Sequence, residues 1–151
     1  MEGNKKWETS WKGRREGLYH LVINLKWEQF LAVGALGPRR FPVGTYIYTG
    51  SAKRGLVSRI QRHLRREKKR RWHIDYLTVV APVCAVWVDL TQKVTECERH
   101  RIVLERTGAR VLIPKFGSSD CRCQSHLAYF PTRPELQSIK ELKQIFPVSR
   151  S

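Results

Sequence analysis

The pattern of apolar and polar residues divides the chain into segments with two different periods. GLYHLVINL (17–25) and TYIYTG (45–50) alternate between the two residue types, so that Tyr46 and Tyr48 share one face of the second segment. This period of two is typical of β-strands. We therefore expect two strands here, the first of them half-buried.

Other short apolar runs predict further strands, and segments rich in Gly and Pro predict loops. FLAVGAL (30–36) should form a hairpin with the first strand through KWEQ, and GPRRFPVG (37–44) should be a loop. The remaining extended segments are WHIDYL (72–77), PVCAVWVDL (82–90), ARVLI (109–113) and LAYF (127–130).

Three segments have the period of an amphipathic helix. Between about 53 and 66, Leu56, Ile60 and Leu64 recur every four residues. Basic side chains line a neighbouring face of that helix: Arg59, Arg62, His63 and Arg66. The other predicted helices are 91–108, ended by Gly108, and 132–146, begun by a capping box.

This order of elements predicts an α/β fold: one small domain with a mixed, mainly antiparallel sheet flanked by helices. The chain has 151 residues, enough for one core. Residues 1–16 are polar and basic, and we expect them to be a flexible arm. The domain itself is expected at 17–147.

Charge adds a class of partner to this picture. The formal net charge is +16 and the pI is near 10.3. Such an excess favours a polyanion, because Lys and Arg release condensed counterions when they contact phosphates. We expect nucleic acid as the partner and no membrane. Charge does not distinguish DNA from RNA, and DNA is the favoured expectation.

The location of the protein is predicted from what the sequence lacks. No apolar stretch is long enough to span a bilayer, and the first residues contain no apolar core of a secretory signal. We expect a cytoplasmic protein. Its four cysteines, Cys84, Cys97, Cys121 and Cys123, are then expected as thiols or metal ligands rather than disulfides.

The ordered set of motifs resembles a known family. GLY (17–19) and YTG (48–50) resemble the two name-giving strands of the GIY-YIG nuclease superfamily. The longer blocks are similar to its Uri-type endonuclease branch, long catalogued as a domain of unknown function. These blocks are GTYIYTGSA, RI-x-x-HL, WHIDYL and FGSSDC-x-C-x-SHL.

The resemblance implies a divalent-metal-dependent endonuclease that hydrolyses nucleic-acid phosphodiester bonds in repair or processing. Tyr19 is then the leading candidate for the general base, and Tyr48 orients water or phosphate. A phenol is a weak base at its usual pKa near 10, so a cation such as Arg59 or His63 must lower it. Arg59 stabilises the charge of the transition state.

Residues around these positions receive supporting roles. His63 lies one turn beyond Arg59 and acts as a base or holds a phosphate, or is a surface histidine with no role. Gly50 allows close approach, and Ser51 caps the next helix or holds a phosphate. His73 and Asp75 orient one another on an extended segment, or Asp75 forms an ordinary salt bridge. The nucleic-acid backbone is expected to contact Lys53, Arg62, Arg66, Lys69 and Arg70.

A metal-binding carboxylate is expected near the start of the 91–108 helix. Glu96 is preferred, because the resemblance includes Glu-Cys at that point, and Glu98 is the alternative. Side chains two positions apart on a helix are separated by about 200° of rotation, so only one of the two glutamates faces the site. One carboxylate with retained waters suits Mg²⁺ or Mn²⁺.

The segment DCRCQSH has ligands that a softer metal prefers. Cys121, Cys123 and His126 would need a fourth ligand, such as Cys97, His73 or His100, to hold zinc. We favour the alternative, a hydrogen-bonded loop in which Ser118, Ser119 and Asp120 hold backbone amides.

Two questions stay open at this point. The main alternative function is a non-catalytic nucleic-acid-binding protein on the same scaffold, since positive charge predicts both. Cutting both strands of a duplex would also require a homodimer or a partner protein, because one site makes one nick.

Overall fold

The computed structural model describes residues 16–91, 93–118, 123–132 and 142–146. Seven strands are found in these ranges: β1 Gly17–Leu25, β2 Gln29–Ala32, β3 Pro38–Phe41, β4 Gly44–Ala52, β5 Val83–Asp89, β6 Leu127–Phe130 and β7 Lys143–Phe146. Three helices accompany them: α1 Leu56–Leu64, α2 His73–Thr78 and α3 Glu96–Thr107. A single 3₁₀ turn covers Gly34–Leu36.

Five strands form the main sheet in the order β6-β4-β1-β5-β7. Every pairing in it is antiparallel, and β1 lies in the centre between β4 and β5. The register of β1 with β4 places Tyr19 opposite Gly50 and Leu21 opposite Tyr48. The two tyrosine-bearing strands predicted from the alternation are therefore direct neighbours.

The sheet is buried on both faces. On the first face, Tyr19, Tyr46 and Tyr48 pack in one apolar cluster with Leu56 of α1 and Leu77 of α2. On the second face, a smaller cluster contains Val22, Ile47 and Val103 of α3. The predicted half-burial of β1 is thus wrong, because helices cover both sides of its sheet.

The predicted hairpin between 17–25 and 30–36 is also wrong. β2 pairs with β3, which lies in the segment expected as a loop, and the two form a separate two-stranded sheet. The physical reason is that both edges of β1 are occupied by β4 and β5, so β1 has no edge left for β2.

Three further segments differ from the prediction. Residues 72–77 were expected to be extended, but α2 begins at His73, where the Asp75 carboxylate accepts from the backbone N–H of Trp72. The 109–113 segment makes only an isolated bridge, Arg110 to Tyr129. Residues 143–146, expected as the end of a helix, are strand β7, because they pair with the edge of β5.

The described residues form one small α/β domain with a mainly antiparallel five-stranded sheet and three helices, as the sequence pattern predicted. The predicted arm lies almost wholly outside them, since they begin at Glu16. Among the described helices, none has the length and apolar character needed to cross a membrane.

Candidate active site

The end of the β1–β4 pair brings the predicted tyrosines together. The rings of Tyr19 and Tyr48 lie 6.5 Å apart, and a Cβ at Gly50 would come within 2.5 Å of the Tyr19 ring. Gly117 makes a similar approach to Tyr48, with an added Cβ at 2.8 Å, and adopts a φ of 70°. Both glycines are therefore required by the packing of the tyrosine pair.

Tyr19 and His63 are hydrogen-bonded to one another. The Tyr19 hydroxyl lies 2.8 Å from Nε2 of His63, and both side chains are buried. Helix α1 provides His63 one turn after Arg59, which places both on the side that faces β1. His63 is therefore not a surface histidine.

Burial keeps this pair neutral. Burial raises the pKa of Tyr19 well above its usual value, although Arg59 acts in the opposite direction. Burial also lowers the pKa of His63 to about 3. The expectation that a nearby cation lowers the pKa of Tyr19 overall is therefore not met, since burial outweighs the charge of Arg59.

Arg59 is held between the backbone and an aromatic ring. Its guanidinium donates to the carbonyl of Ser51 at 2.7 Å and lies 5.1 Å from the ring centre of Trp72. Trp72 also contacts the ring of His63, at 5.7 Å. Trp72 was not predicted to belong to the site. The feature that could have indicated it is the position of an aromatic side chain directly before the 73–78 segment.

Glu96 is brought to the same place from the other face of the sheet. It is the first residue of α3, where the helix dipole favours a carboxylate. One carboxylate oxygen accepts from the Ser51 hydroxyl and the other pairs with Nδ1 of His126 at 2.5 Å. Burial alone would raise the pKa of Glu96, but the bonds from His126 and Ser51 outweigh it, so the pKa is lowered.

Glu98, the alternative, has a different role. Its carboxylate accepts from the backbone N–H of Thr95 at 3.2 Å, and its own N–H donates to the Thr95 hydroxyl. This is a capping box at the start of α3. Glu98 is exposed and its carboxylate is used in this cap, so Glu96 is the carboxylate that the fold places at the site.

Ser51 connects the two charged groups. Its carbonyl accepts from Arg59 and its hydroxyl donates to Glu96. Ser51 does not cap α1, because the residue before that helix is Gly55. An open cleft of about 210 Å³ lies beside this contact, and Ser51, Lys53 and Glu96 are among its lining residues.

His73 and Asp75 do not orient one another. His73 Nδ1 accepts from the backbone N–H of Gly117 at 2.9 Å. Asp75 is fully buried and accepts two bonds from Arg62, at 2.8 and 2.9 Å. The salt-bridge alternative for Asp75 is therefore confirmed, and Arg62 is held by this pair rather than presented for a phosphate.

The other predicted backbone-contacting residues are at the surface. Lys53, Arg66, Lys69 and Arg70 are all exposed. Lys53 lies just before α1, and Arg66, Lys69 and Arg70 lie in the segment that leads from α1 to α2. Their position allows contact with an extended polyanion.

The cysteine-rich segment is only partly described. Cys121, Ser119 and Asp120 lie outside the described residues. Cys123 is joined to Cys97 by a disulfide, with the two Cα atoms 5.8 Å apart. The expectation that these cysteines are unpaired is wrong for this pair, because α3 places Cys97 directly against the segment before β6. Cys97 Sγ also lies 3.6 Å from Nε2 of His126.

These features define a small α/β domain with an arginine and an ionised carboxylate meeting at one serine. The chain belongs to the family described as Domain of unknown function DUF123, whose model matches residues 18–147. Searches of the curated proteins and of the solved structures found no match.

Proposed function

We propose that this protein is a divalent-metal-dependent endonuclease of the GIY-YIG superfamily, in its Uri-type branch, and that its nucleic-acid substrate is DNA. The observation that carries the proposal is the meeting of Arg59 and Glu96 at Ser51. These two charges come from helices on opposite faces of the sheet. A fold that only bound a polyanion would have no need to place a carboxylate there.

Arg59 supplies the part of the chemistry that acts on the phosphate. A guanidinium binds phosphate oxygens through parallel hydrogen bonds and stays charged at any working pH. One of its nitrogens donates to Ser51, and the ring of Trp72 lies 5.1 Å from its central carbon. This arrangement would stabilise the negative charge that develops as the phosphodiester is attacked.

The residues at Glu96 fit a hard divalent cation. The carboxylate is partly exposed and its pKa is lowered, so it is ionised at neutral pH. Ser51 and His126 use one lone pair on each oxygen, and a carboxylate has about four such positions. Mg²⁺ or Mn²⁺ bound there would supply positive charge to the leaving oxygen, with Glu96 as its protein ligand.

Tyr19 is only 2% exposed, and its hydroxyl contacts the buried His63. In the described state both are neutral, so Tyr19 carries its proton. Their hydrogen bond supports a role in which Tyr19 takes a proton from water while passing its own to His63. Tyr48 lies beside both rings and would fix their positions.

The exposed cations would position the substrate. Lys53 lines the cleft, and Arg66, Lys69 and Arg70 continue the positive surface beyond it. Contacts of this kind fix register on a nucleic acid without reading its sequence. The cytoplasmic setting, and the homodimer or partner protein required for double-strand cutting, remain predictions.

The test is a cleavage survey of the full chain. Labelled single-stranded, duplex and branched DNA, and structured RNA, are incubated with Mg²⁺ or Mn²⁺, and with EDTA. Glu96→Gln is compared with Glu98→Gln, a matched control two residues along the same helix that keeps the capping box. We expect metal-dependent cutting by the wild type and by Glu98→Gln, and none by Glu96→Gln.

The rival function makes a different prediction for the same samples. A non-catalytic binder would shift every substrate in a gel and cut none of them with any metal. That result, or equal cutting by Glu96→Gln and the wild type, would overturn the proposal.

A further inference from the structure

One short pattern occurs twice in the chain and is not used by the proposed nuclease. Cys97-Glu98-Arg99-His100 and Cys123-Gln124-Ser125-His126 are both Cys-x-x-His. The first lies in α3, where a spacing of three places Cys97 and His100 on the same side of the helix. The second leads directly into β6.

The fold brings the two copies together. The ligand atoms of Cys97, Cys123 and His126 all lie within 4.8 Å of one another. The rings of His100 and His126 are 6.1 Å apart. A cleft of about 310 Å³ is lined by Cys97, His100 and Cys123 together with neighbouring residues of both segments.

The environment of His100 gives an independent indication that this cleft binds a ligand. Its side chain is only 4% exposed. Neither of its ring nitrogens has a hydrogen-bond partner among the described residues. A buried polar atom without a partner costs about 1–3 kcal/mol, so a ligand that satisfies it would stabilise the fold.

We propose that Cys97, His100, Cys123 and His126 form a Cys₂His₂ site for a soft divalent metal, with zinc as the natural occupant. Two thiolates and two imidazoles are a standard donor set for tetrahedral zinc. His126 already faces Cys97 through Nε2 at 3.6 Å. His100 would supply the fourth donor, since it lines the same cleft as the two cysteines.

Glu96 supports the same assignment from the other side of His126. Its carboxylate pairs with Nδ1, the ring nitrogen that does not face the cysteines. A histidine that binds a metal through one nitrogen usually donates its other N–H to a carboxylate, which fixes the ring. His126 would therefore link the zinc site to the carboxylate of the proposed active site, although the zinc site does not depend on that function.

The disulfide and the metal exclude one another. A dithiol reductant gives two electrons and two protons to the Cys97–Cys123 bond and is itself oxidised to a disulfide. The two thiols formed release their protons to solvent when zinc binds. The structure shows the oxidised form, and the proposed site belongs to the reduced form.

The full chain is tested with metal added alone. Protein reduced with a phosphine and freed of metal is titrated with Co²⁺, which reports geometry by absorption. We expect about one Co²⁺ per chain, intense visible bands of tetrahedral coordination and a thiolate charge-transfer band, all removed by Zn²⁺. The oxidised protein should show none of these.

Variants identify the ligands. His100→Ala should weaken binding at least about tenfold. Cys84→Ser is the matched control, because Cys84 lies on β5 and contacts the carbonyl of Val22. Cys121→Ser should also keep the metal. Should His100→Ala not fold, thiol titration of the wild type decides: Zn²⁺ should protect two of the four thiols.

Three results would overturn the assignment. The first is reduced wild-type protein that takes up no stoichiometric Co²⁺ or Zn²⁺. The second is His100→Ala binding as tightly as the wild type. The third is loss of the metal in Cys121→Ser with retention in Cys97→Ser.

Discussion

The two faces of the central sheet are built by different means. The face under α1 and α2 is filled by a large cluster of aromatic and aliphatic side chains, including the three tyrosines of β1 and β4. The face under α3 has a smaller apolar cluster and a set of buried polar side chains. That set is His20, Thr49, Asp89, Arg99, His100 and His126.

Among the described residues, each face also contains an Arg–Asp pair, and the pairs differ in exposure. The Arg62 side chain is 19% exposed, whereas that of Arg99 is 2% exposed. Arg62 can reach water, while Arg99 depends on Asp89 within the protein. The α3 face is therefore held by partner-dependent polar contacts, and the α1–α2 face mainly by apolar packing.

The largest expected effect follows from that difference. Asp89→Ala leaves the Arg99 charge buried without its carboxylate, so we expect a loss of about 4 kcal/mol in the free energy of unfolding. Asp75→Ala should cost less, about 2–3 kcal/mol, because Arg62 is solvated in part. Urea unfolding of both variants measures this, and an equal or reversed order would refute the comparison.

Arg59 is expected to contribute strongly to cutting. Arg59→Ala should reduce kcat about 10²–10³-fold, because the charge that stabilises the transition state is lost. Arg54→Ala, an exposed charge just before the same helix, should cut within about twofold of the wild type. Single-turnover cleavage separates the two, and a similar small loss in both would remove Arg59 from the site.

Ser51 joins the two faces, so its hydroxyl should matter for activity more than for folding. Ser51→Ala removes the bond to Glu96 and leaves the carbonyl that accepts from Arg59. We expect about a tenfold loss in cleavage rate, since a hydrogen bond to a charged group contributes about 1.5–3 kcal/mol. Ser58→Ala, an exposed serine on α1, is the control and should show no loss.

Acid is expected to destabilise the fold by protonating buried aspartates. Burial alone would raise the pKa of Asp75, but bonds from Arg62 and from the N–H groups of Trp72 and Arg71 lower it. A lowered folded-state pKa gives stability that is present above the unfolded pKa and is lost as pH falls through the folded pKa. Below about pH 4, Asp75→Asn should therefore lose stability less steeply than the wild type, by up to about 1.4 kcal/mol per pH unit. Parallel slopes in pH-dependent urea unfolding would contradict this.

The smallest effect is expected at the exposed cations. Replacing Lys69 and Arg70 together by Ala should weaken binding of all nucleic-acid sequences alike. The slope of log K against log[salt] should fall by about two, one for each lost phosphate contact. A change in sequence preference instead would mean that these side chains read bases.

The sequence was most informative where apolar periodicity decides the structure. Alternation in 17–25 and 45–50 predicted β1 and β4, and the four-residue spacing of Leu56, Ile60 and Leu64 predicted α1. The prediction from the sequence failed where the pairing of strands determines the structure. β2 joined β3 because both edges of β1 were occupied, and 143–146 became a strand because β5 had a free edge.

The candidate active site shows the same difference between local patterns, which were informative, and long-range contacts, which were not predicted. Tyr19, Arg59 and Glu96 could be named from motifs, because each occupies a fixed place within a local pattern. The contacts of Glu96 with Ser51 and with His126 join residues far apart in the chain. No local pattern contains that information, since it depends on how α3 docks on the sheet.

The most direct test of the central claim measures binding and cutting in the same reactions. Wild type and Glu96→Gln are titrated against one labelled DNA substrate with Mg²⁺, and the bound and cut fractions are read together. We expect that the wild type cuts, while Glu96→Gln binds with a Kd within about twofold of the wild-type value and does not cut. Binding by both proteins with cutting by neither would show that the domain is a nucleic-acid-binding scaffold and not a nuclease.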